Sequence, residues 1–86
     1  MTYFTYIIQC SDTTYYTGVT NDLEKRIKAH NGVLRNGAKY TKTRRPVKLM
    51  YYEEFETKSD AMKKEYILRH RSHQEKEVLV NGFKGL

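Results

Sequence analysis

Tyr6, Tyr16, Arg26, His30 and Glu65 are polar side chains at positions where a small domain ordinarily keeps its core. Together they suit hydrolysis of a phosphodiester. In that reaction a water loses a proton as it attacks phosphorus, charge builds on the non-bridging oxygens, and an alkoxide departs. A tyrosine or histidine can relay the proton. An arginine meets the oxygens with its fork of donors. One divalent ion held by a carboxylate neutralises phosphate charge and assists the leaving group. Tyrosine is a weak base at its ordinary pKa, so it needs a nearby cation or a metal-bound water to act. No serine or cysteine nucleophile constellation competes with this set, and there is no phosphate-cradling P-loop.

The elements that must position these residues follow from local pattern. Residues 3–10 and 14–20 are rich in β-prone types and flank the turn signal Ser11-Asp12-Thr13, so they predict a hairpin. If Cys10 faces Thr14 across that turn, Ile8 faces Tyr16 and Tyr6 faces Gly18, all on one face of the sheet. A turn one residue shorter or longer would send the two tyrosines to opposite faces. Gly18 removes a side chain beside Tyr6, which leaves room for a ligand to approach the backbone. Residues 21–31 predict a helix, capped by Asn21 with Glu24 three positions on. At about 100° per residue, Arg26 and His30 lie within about 60° of Leu23, so both point with the apolar stripe. Residues 32–45 predict a loop with a short helical turn near 38–44, and Pro46 opens a third strand over Val47 to Phe55. Thr57 or Ser59 caps a helix to about Arg69, with Ala61, Met62, Glu65 and Leu68 on one face. A last short helix spans residues 73–80, anchored by Val78, Leu79 and Val80. The tail from Asn81 frays unless Phe83 or Leu86 docks. The expected fold is α+β, a small three-stranded antiparallel sheet flanked by helices in β-β-α-β-α-α order, as one domain over residues 1–86.

Charge narrows the partner. The chain of 86 residues carries 16 Lys and Arg against 10 Asp and Glu, a net charge of +6. From Lys25 to Tyr52 there are nine basic residues, Arg35 among them, and no acid. Lys39, Lys42, Arg44 and Arg45 in that stretch are interleaved with Tyr40, Thr41 and Thr43, a pattern that suits phosphate and sugar contacts. Net charge alone does not choose between nucleic acid, an anionic membrane and an acidic protein, and it is this interleaved stretch that makes nucleic acid the expected partner, DNA before RNA. Cys10 is the only cysteine, which excludes an intrachain disulfide and fits a reducing cytoplasm. The N-terminus lacks a signal-peptide pattern, and no apolar run approaches membrane-spanning length, so no membrane role is expected.

These motifs, in this order, resemble the GIY-YIG nuclease domain, and more closely its small stand-alone bacterial members. Phe4-Thr5-Tyr6 and Tyr16-Thr17-Gly18 resemble the two namesake triplets, residues 22–31 the family helix, and Arg44 to Leu49 and Ser59 to Glu65 continue the likeness, which covers residues 3–77. The resemblance implies the family fold and a metal-dependent endonuclease acting on DNA, in repair or processing. It implies Tyr6 as general base or water positioner, Tyr16 as the residue orienting nucleophile or phosphate, and Arg26 as stabiliser of the developing charge. It implies His30 as an aid to proton transfer and Glu65 as holder of a single Mg²⁺ or Mn²⁺. Phe4, Thr5 and Thr17 depart from the namesake residues. Asn81, the only late asparagine after Glu65, is given no role. Other readings stay open at the level of sequence. Tyr6 and Tyr16 could be ordinary strand tyrosines, Arg26 could bridge to Glu53, Glu54 or Glu65, and His30 could cap its helix. Nucleases of this family usually carry a separate targeting domain, so the chain could instead be a non-catalytic nucleic-acid-binding module. It could also be a subunit that pairs with a partner protein along its third strand.

Overall fold

A computed structural model describes residues 1–33 and 37–83. Arg35 of the basic stretch and the proposed docking of Leu86 lie outside these residues. The chain order is β1 (Tyr3–Gln9), β2 (Tyr15–Thr20), α1 (Leu23–His30), α2 (Lys39–Lys42), β3 (Lys48–Phe55), α3 (Lys58–Arg69) and α4 (His73–Gly82). The strands form one antiparallel sheet in the order β2-β1-β3. This is the expected α+β architecture, with the expected short helical turn present as α2.

β1 is the central strand and is covered on both faces, which is why Thr5, Tyr6, Ile7 and Ile8 are buried in an unbroken run. Tyr6, Ile8 and Cys10 pack with Val47, Leu23 and Ile27 on the α1 side. Ile7 packs with Leu68, Val80 and Leu79 on the side of α3 and α4. The hairpin has the anticipated register. The Cys10 amide donates to the Thr14 carbonyl at 2.8 Å, and Tyr6 pairs with Gly18 and Ile8 with Tyr16. β3 pairs with β1 through a shift between Ile7 and Ile8. The extra residue breaks the two-residue alternation, so Met50 and Tyr51 face the Ile7 layer while Leu49 and Tyr52 face the Tyr6 layer.

The helices differ in detail from the sequence reading. Asp22, not Asn21, caps α1, its carboxylate accepting from the Lys25 amide at 3.1 Å. α1 ends in a glycine-dependent hydrogen-bond pair. The Gly32 amide donates to Ala29 and the Val33 amide to Lys28, with Gly32 at φ 82°, a conformation that only glycine adopts without strain. Thr57 caps α3 and Ser72 caps α4, the latter reciprocated by Glu75. Met62 and Val78 do not join the core. Both are exposed, Val78 at 72%, because the turns that place Leu68 and Val80 inward rotate these two outward. The tail does not fray at Asn81. α4 runs to Gly82, and Phe83 packs its ring at 5.2 Å from Tyr51 and 5.1 Å from Tyr52.

Candidate active site

Tyr6, Gly18 and Tyr16 reach one face of the sheet through hairpin parity, and α1 brings Arg26 and His30 over that face. The Tyr6 hydroxyl lies 2.8 Å from Nε2 of His30. Both side chains are almost wholly removed from solvent, Tyr6 at 1% and His30 at 0% exposure. The Tyr16 ring meets the His30 ring edge-on at 5.3 Å. Arg26 hydrogen-bonds the Tyr6 side chain.

Electrostatics set the resting protonation of this pair. Burial pushes the Tyr6 phenol up to about 12, against the pull of the Arg26 hydrogen bond and charge. Burial, reinforced by the charges of Arg26 and Arg45, pushes His30 down to about 4. The imidazole is therefore neutral at ordinary pH and the phenol keeps its proton. This makes the fold sensitive to acid. The unfolded chain binds a proton on His30 near the ordinary histidine value while the folded chain resists it. Stability is thus complete above about pH 6.5 and is lost as pH falls towards about 4. The expected loss is on the order of 3 kcal/mol. Urea unfolding of the wild type at pH 7 and pH 4.5 should show it, and His30→Gln should flatten the dependence over that window. An unchanged dependence in His30→Gln would place its origin elsewhere.

Gly18 serves a purpose different from the one expected. The space left by its missing side chain is filled by the Tyr6 ring itself. A Cβ there would stand 2.6 Å from Cζ and 3.0 Å from Cε1 of Tyr6. The glycine seats the tyrosine and does not open a path for ligand.

Glu65 approaches from the other layer, because α3 packs on the Ile7 side of the sheet. Its side chain is 19% exposed and pairs with Arg69 at 3.4 Å. Its charge contributes, as the smallest of several influences, to the raised pKa of Tyr6. Among the described residues no three His, Cys, Asp or Glu side chains cluster as a metal cage. A single carboxylate within electrostatic reach of Tyr6, once released from Arg69, has the oxygen chemistry that suits Mg²⁺ or Mn²⁺, which keep several waters and take further oxygens from a phosphate. It does not fit zinc, which needs three or four protein ligands.

The basic stretch folds back on the end of α1. The Val47 amide donates to Asn31 Oδ1 at 2.6 Å, and Asn31 returns a bond to the Val47 carbonyl at 3.2 Å. Arg45 donates from Nε to the His30 carbonyl at 2.7 Å, supplying the cation that a helix C-terminus favours. Arg44 is held by Asp12 at 3.0 Å and by the Tyr40 carbonyl at 2.8 Å, and its guanidinium lies 4.0 Å over the Tyr40 ring. Tyr40 in turn stacks on Tyr16 at 5.7 Å. Lys39 and Lys42 are exposed. Thus Arg44 and Arg45 are engaged by the protein itself, and the two lysines face outward.

Two features lay outside the sequence reading. Thr41 is fully buried against His30, with its hydroxyl 2.9 Å from Nδ1. Tyr3 and Lys58 join Arg26, Val19, Thr20 and Asn21 around an open polar cleft of about 400 Å³. No periodicity marks Thr41, since α2 is a single turn whose docking depends on residues more than ten positions away.

The family model of the GIY-YIG catalytic domain matches residues 2–77. The chain belongs to the GIY-YIG family. It is 46% identical over 78 residues to the UPF0213 protein YazA of Bacillus subtilis, covering 91% of this chain and 77% of that protein. It is 49% identical over 79 residues to the UPF0213 protein SSP2268 of Staphylococcus saprophyticus, covering 92% and 94%. The solution structure of the UPF0213 protein BH0048 from Bacillus halodurans superposes with a TM-score of 0.61 at 41% identity, over 99% of this chain and 88% of that one. GIY-YIG membership makes this a nuclease-family domain and implies nucleic acid as its substrate. Of the departures from the GIY-YIG triplets, Phe4 lies on the Tyr6 side, its ring edge-on to Tyr52 at 6.0 Å, while the other two face away from Tyr6. Thr5 faces α3, donating to the Ala61 carbonyl at 2.6 Å. Thr17 pairs with Ile7 on the same side, and its hydroxyl is the one buried side-chain polar atom without a hydrogen-bond partner among the described residues. Among those residues no helix is long and apolar enough to cross a membrane.

Proposed function

We propose that this GIY-YIG domain is a divalent-metal-dependent endonuclease that hydrolyses phosphodiester bonds in DNA, acting in the cytoplasm in repair or processing. The observation that carries the reading is the Tyr6 hydroxyl, 2.8 Å from Nε2 of a buried neutral His30 and hydrogen-bonded to Arg26. A buried phenol needs one hydrogen-bond partner; a neutral imidazole and a guanidinium together on the same oxygen also suit proton transfer.

The scissile phosphate enters beside Arg26, whose donors meet the non-bridging oxygens as negative charge builds on them. That negative charge offsets Arg26 at His30 and so raises the basicity of the imidazole. Tyr6 passes its proton to Nε2 and its oxygen takes the proton of the attacking water, whose oxygen forms the new bond to phosphorus. The bond from phosphorus to the leaving sugar oxygen breaks, and that oxygen takes a proton from solvent. Tyr16 borders the site beside His30 and orients the phosphate. A Mg²⁺ or Mn²⁺ at Glu65 would supply charge neutralisation at the phosphate and at the leaving oxygen. Lys39 and Lys42 hold the flanking backbone, with Arg44 and Arg45 shaping the surface that presents them.

The test is nicking of a panel of single-stranded, duplex and branched DNA. Wild-type protein should nick with Mg²⁺ or Mn²⁺ and stop with a chelator. Arg26→Ala and Glu65→Ala should each lose about 10²- to 10³-fold. Equal nicking by wild type and Glu65→Ala would mark a contaminant and sink the reading. One observation favours the alternative of binding without cleavage: phenol and imidazole are far apart in acidity at rest, so the proton stays on Tyr6. DNA binding without nicking under any divalent ion would select that alternative.

A further inference from the structure

We propose that Thr41 is a positioning residue that holds His30 in the tautomer with its proton on Nδ1, which keeps Nε2 bare to accept from Tyr6. The proposal rests on the reading of Tyr6 and His30 as the proton-handling pair.

Thr41 is the only buried residue of α2, set among the exposed Lys39, Tyr40 and Lys42. Its hydroxyl stands 2.9 Å from His30 Nδ1 and 2.9 Å from the carbonyl of Ala38. A hydroxyl has one proton and two lone pairs. If that proton goes to the Ala38 carbonyl, the hydroxyl can only accept from the ring, so Nδ1 must carry the hydrogen. A neutral imidazole has one N–H, so Nε2 is then a lone pair facing the Tyr6 hydroxyl.

The far end of the chain gives the same answer independently. Tyr6 takes a hydrogen bond from Arg26, a residue with donors and no acceptor. The phenol must therefore give its own proton elsewhere. Nε2 at 2.8 Å accepts it only when unprotonated. With the other tautomer, the phenolic oxygen would receive both Arg26 and Nε2–H. Its own proton would then be buried without an acceptor, at a cost of about 1–3 kcal/mol. Donor accounting from both ends thus selects one direction for the whole chain, from Tyr6 through His30 and Thr41 to Ala38.

The readout is the protonation of the two His30 ring nitrogens by ¹⁵N-edited NMR, which needs no nuclease activity. Wild type should show hydrogen on Nδ1 and a bare Nε2. Thr41→Val, close in shape but unable to accept, should shift the ring towards the Nε2–H form and slow nicking by about 10²-fold. Thr41→Ser should restore both signatures. A wild-type ring protonated at Nε2 overturns the proposal even if no variant folds. So does a Thr41→Val ring with unchanged nitrogen signals. The expected ring signals in protein that nicks no DNA would support the Thr41 assignment while sinking the nuclease reading, so the two failures are distinguishable.

Discussion

Tyr6→Phe leaves a folded protein that nicks DNA about 10²- to 10⁴-fold more slowly than wild type. The substitution deletes a single oxygen. The ring keeps its place against Ile8, Cys10 and Val47, so packing of the Tyr6 layer survives. Nε2 of His30 loses its donor, and Arg26 loses an acceptor. Leaving such buried groups unmet costs about 1–3 kcal/mol, which a domain of ordinary stability tolerates. The measurement is a single-turnover nicking rate set beside a thermal melt. A melt lowered by about 4–8 °C per kcal/mol with a large loss of rate supports the assignment. A wild-type rate in Tyr6→Phe would remove the phenol from the chemistry, whatever the melt shows.

Gly18→Ala is expected to damage both stability and activity, although it adds one methyl group. The new Cβ would overlap the Tyr6 ring, 2.6 Å from Cζ and nearer still to the hydroxyl. That ring cannot step aside cheaply. It is buried, and its hydroxyl is tied to His30 on a different element. Relief must come from spreading the β1–β2 pair or from tilting the ring. The first is overpacking, at about 1–3 kcal/mol. The second moves the hydroxyl off Nε2, and misplacement of about 1 Å costs about 10²-fold in rate. The requirement is for space, since Gly32 is the only glycine with positive φ among the described residues. Comparing Gly18→Ala with Tyr6→Phe tests this origin. In the Tyr6→Phe background the added methyl meets a ring without its hydroxyl, so the stability penalty of Gly18→Ala should shrink. An equal penalty in both backgrounds would show that the ring carbons, and not the tethered hydroxyl, set the cost.

The parts of the site that were legible in sequence are those carried by short-range geometry. Strand alternation with a three-residue turn put Tyr6, Ile8, Tyr16 and Gly18 on one face. Helical phase put Arg26 and His30 on the side of Leu23 and Ile27. Where a local signal was degenerate, the reading slipped by a residue. Asn21 and Asp22 are both good caps, and the carboxylate of Asp22 took the Lys25 amide. In β3 an extra residue reversed the alternation after Leu49, and nothing in Lys48–Phe55 announces it.

What the amino-acid order determined by itself is therefore the sheet, the helices and the inward aim of most of the candidate side chains, because periods of two and 3.6 residues are properties of the backbone alone. Tertiary packing decided how those side chains are wired. Thr41 meets His30 only because Arg45, Asn31 and Val47 fasten the basic stretch to the end of α1. The same fastening engages Arg44 and Arg45 with protein groups and leaves Lys39 and Lys42 facing out. Glu65 acts on Tyr6 from the opposite layer, a relation set by how α3 seats on β1 and β2. Burial, which exists only once the layers close, pushes His30 down and Tyr6 up and so sets their resting protonation.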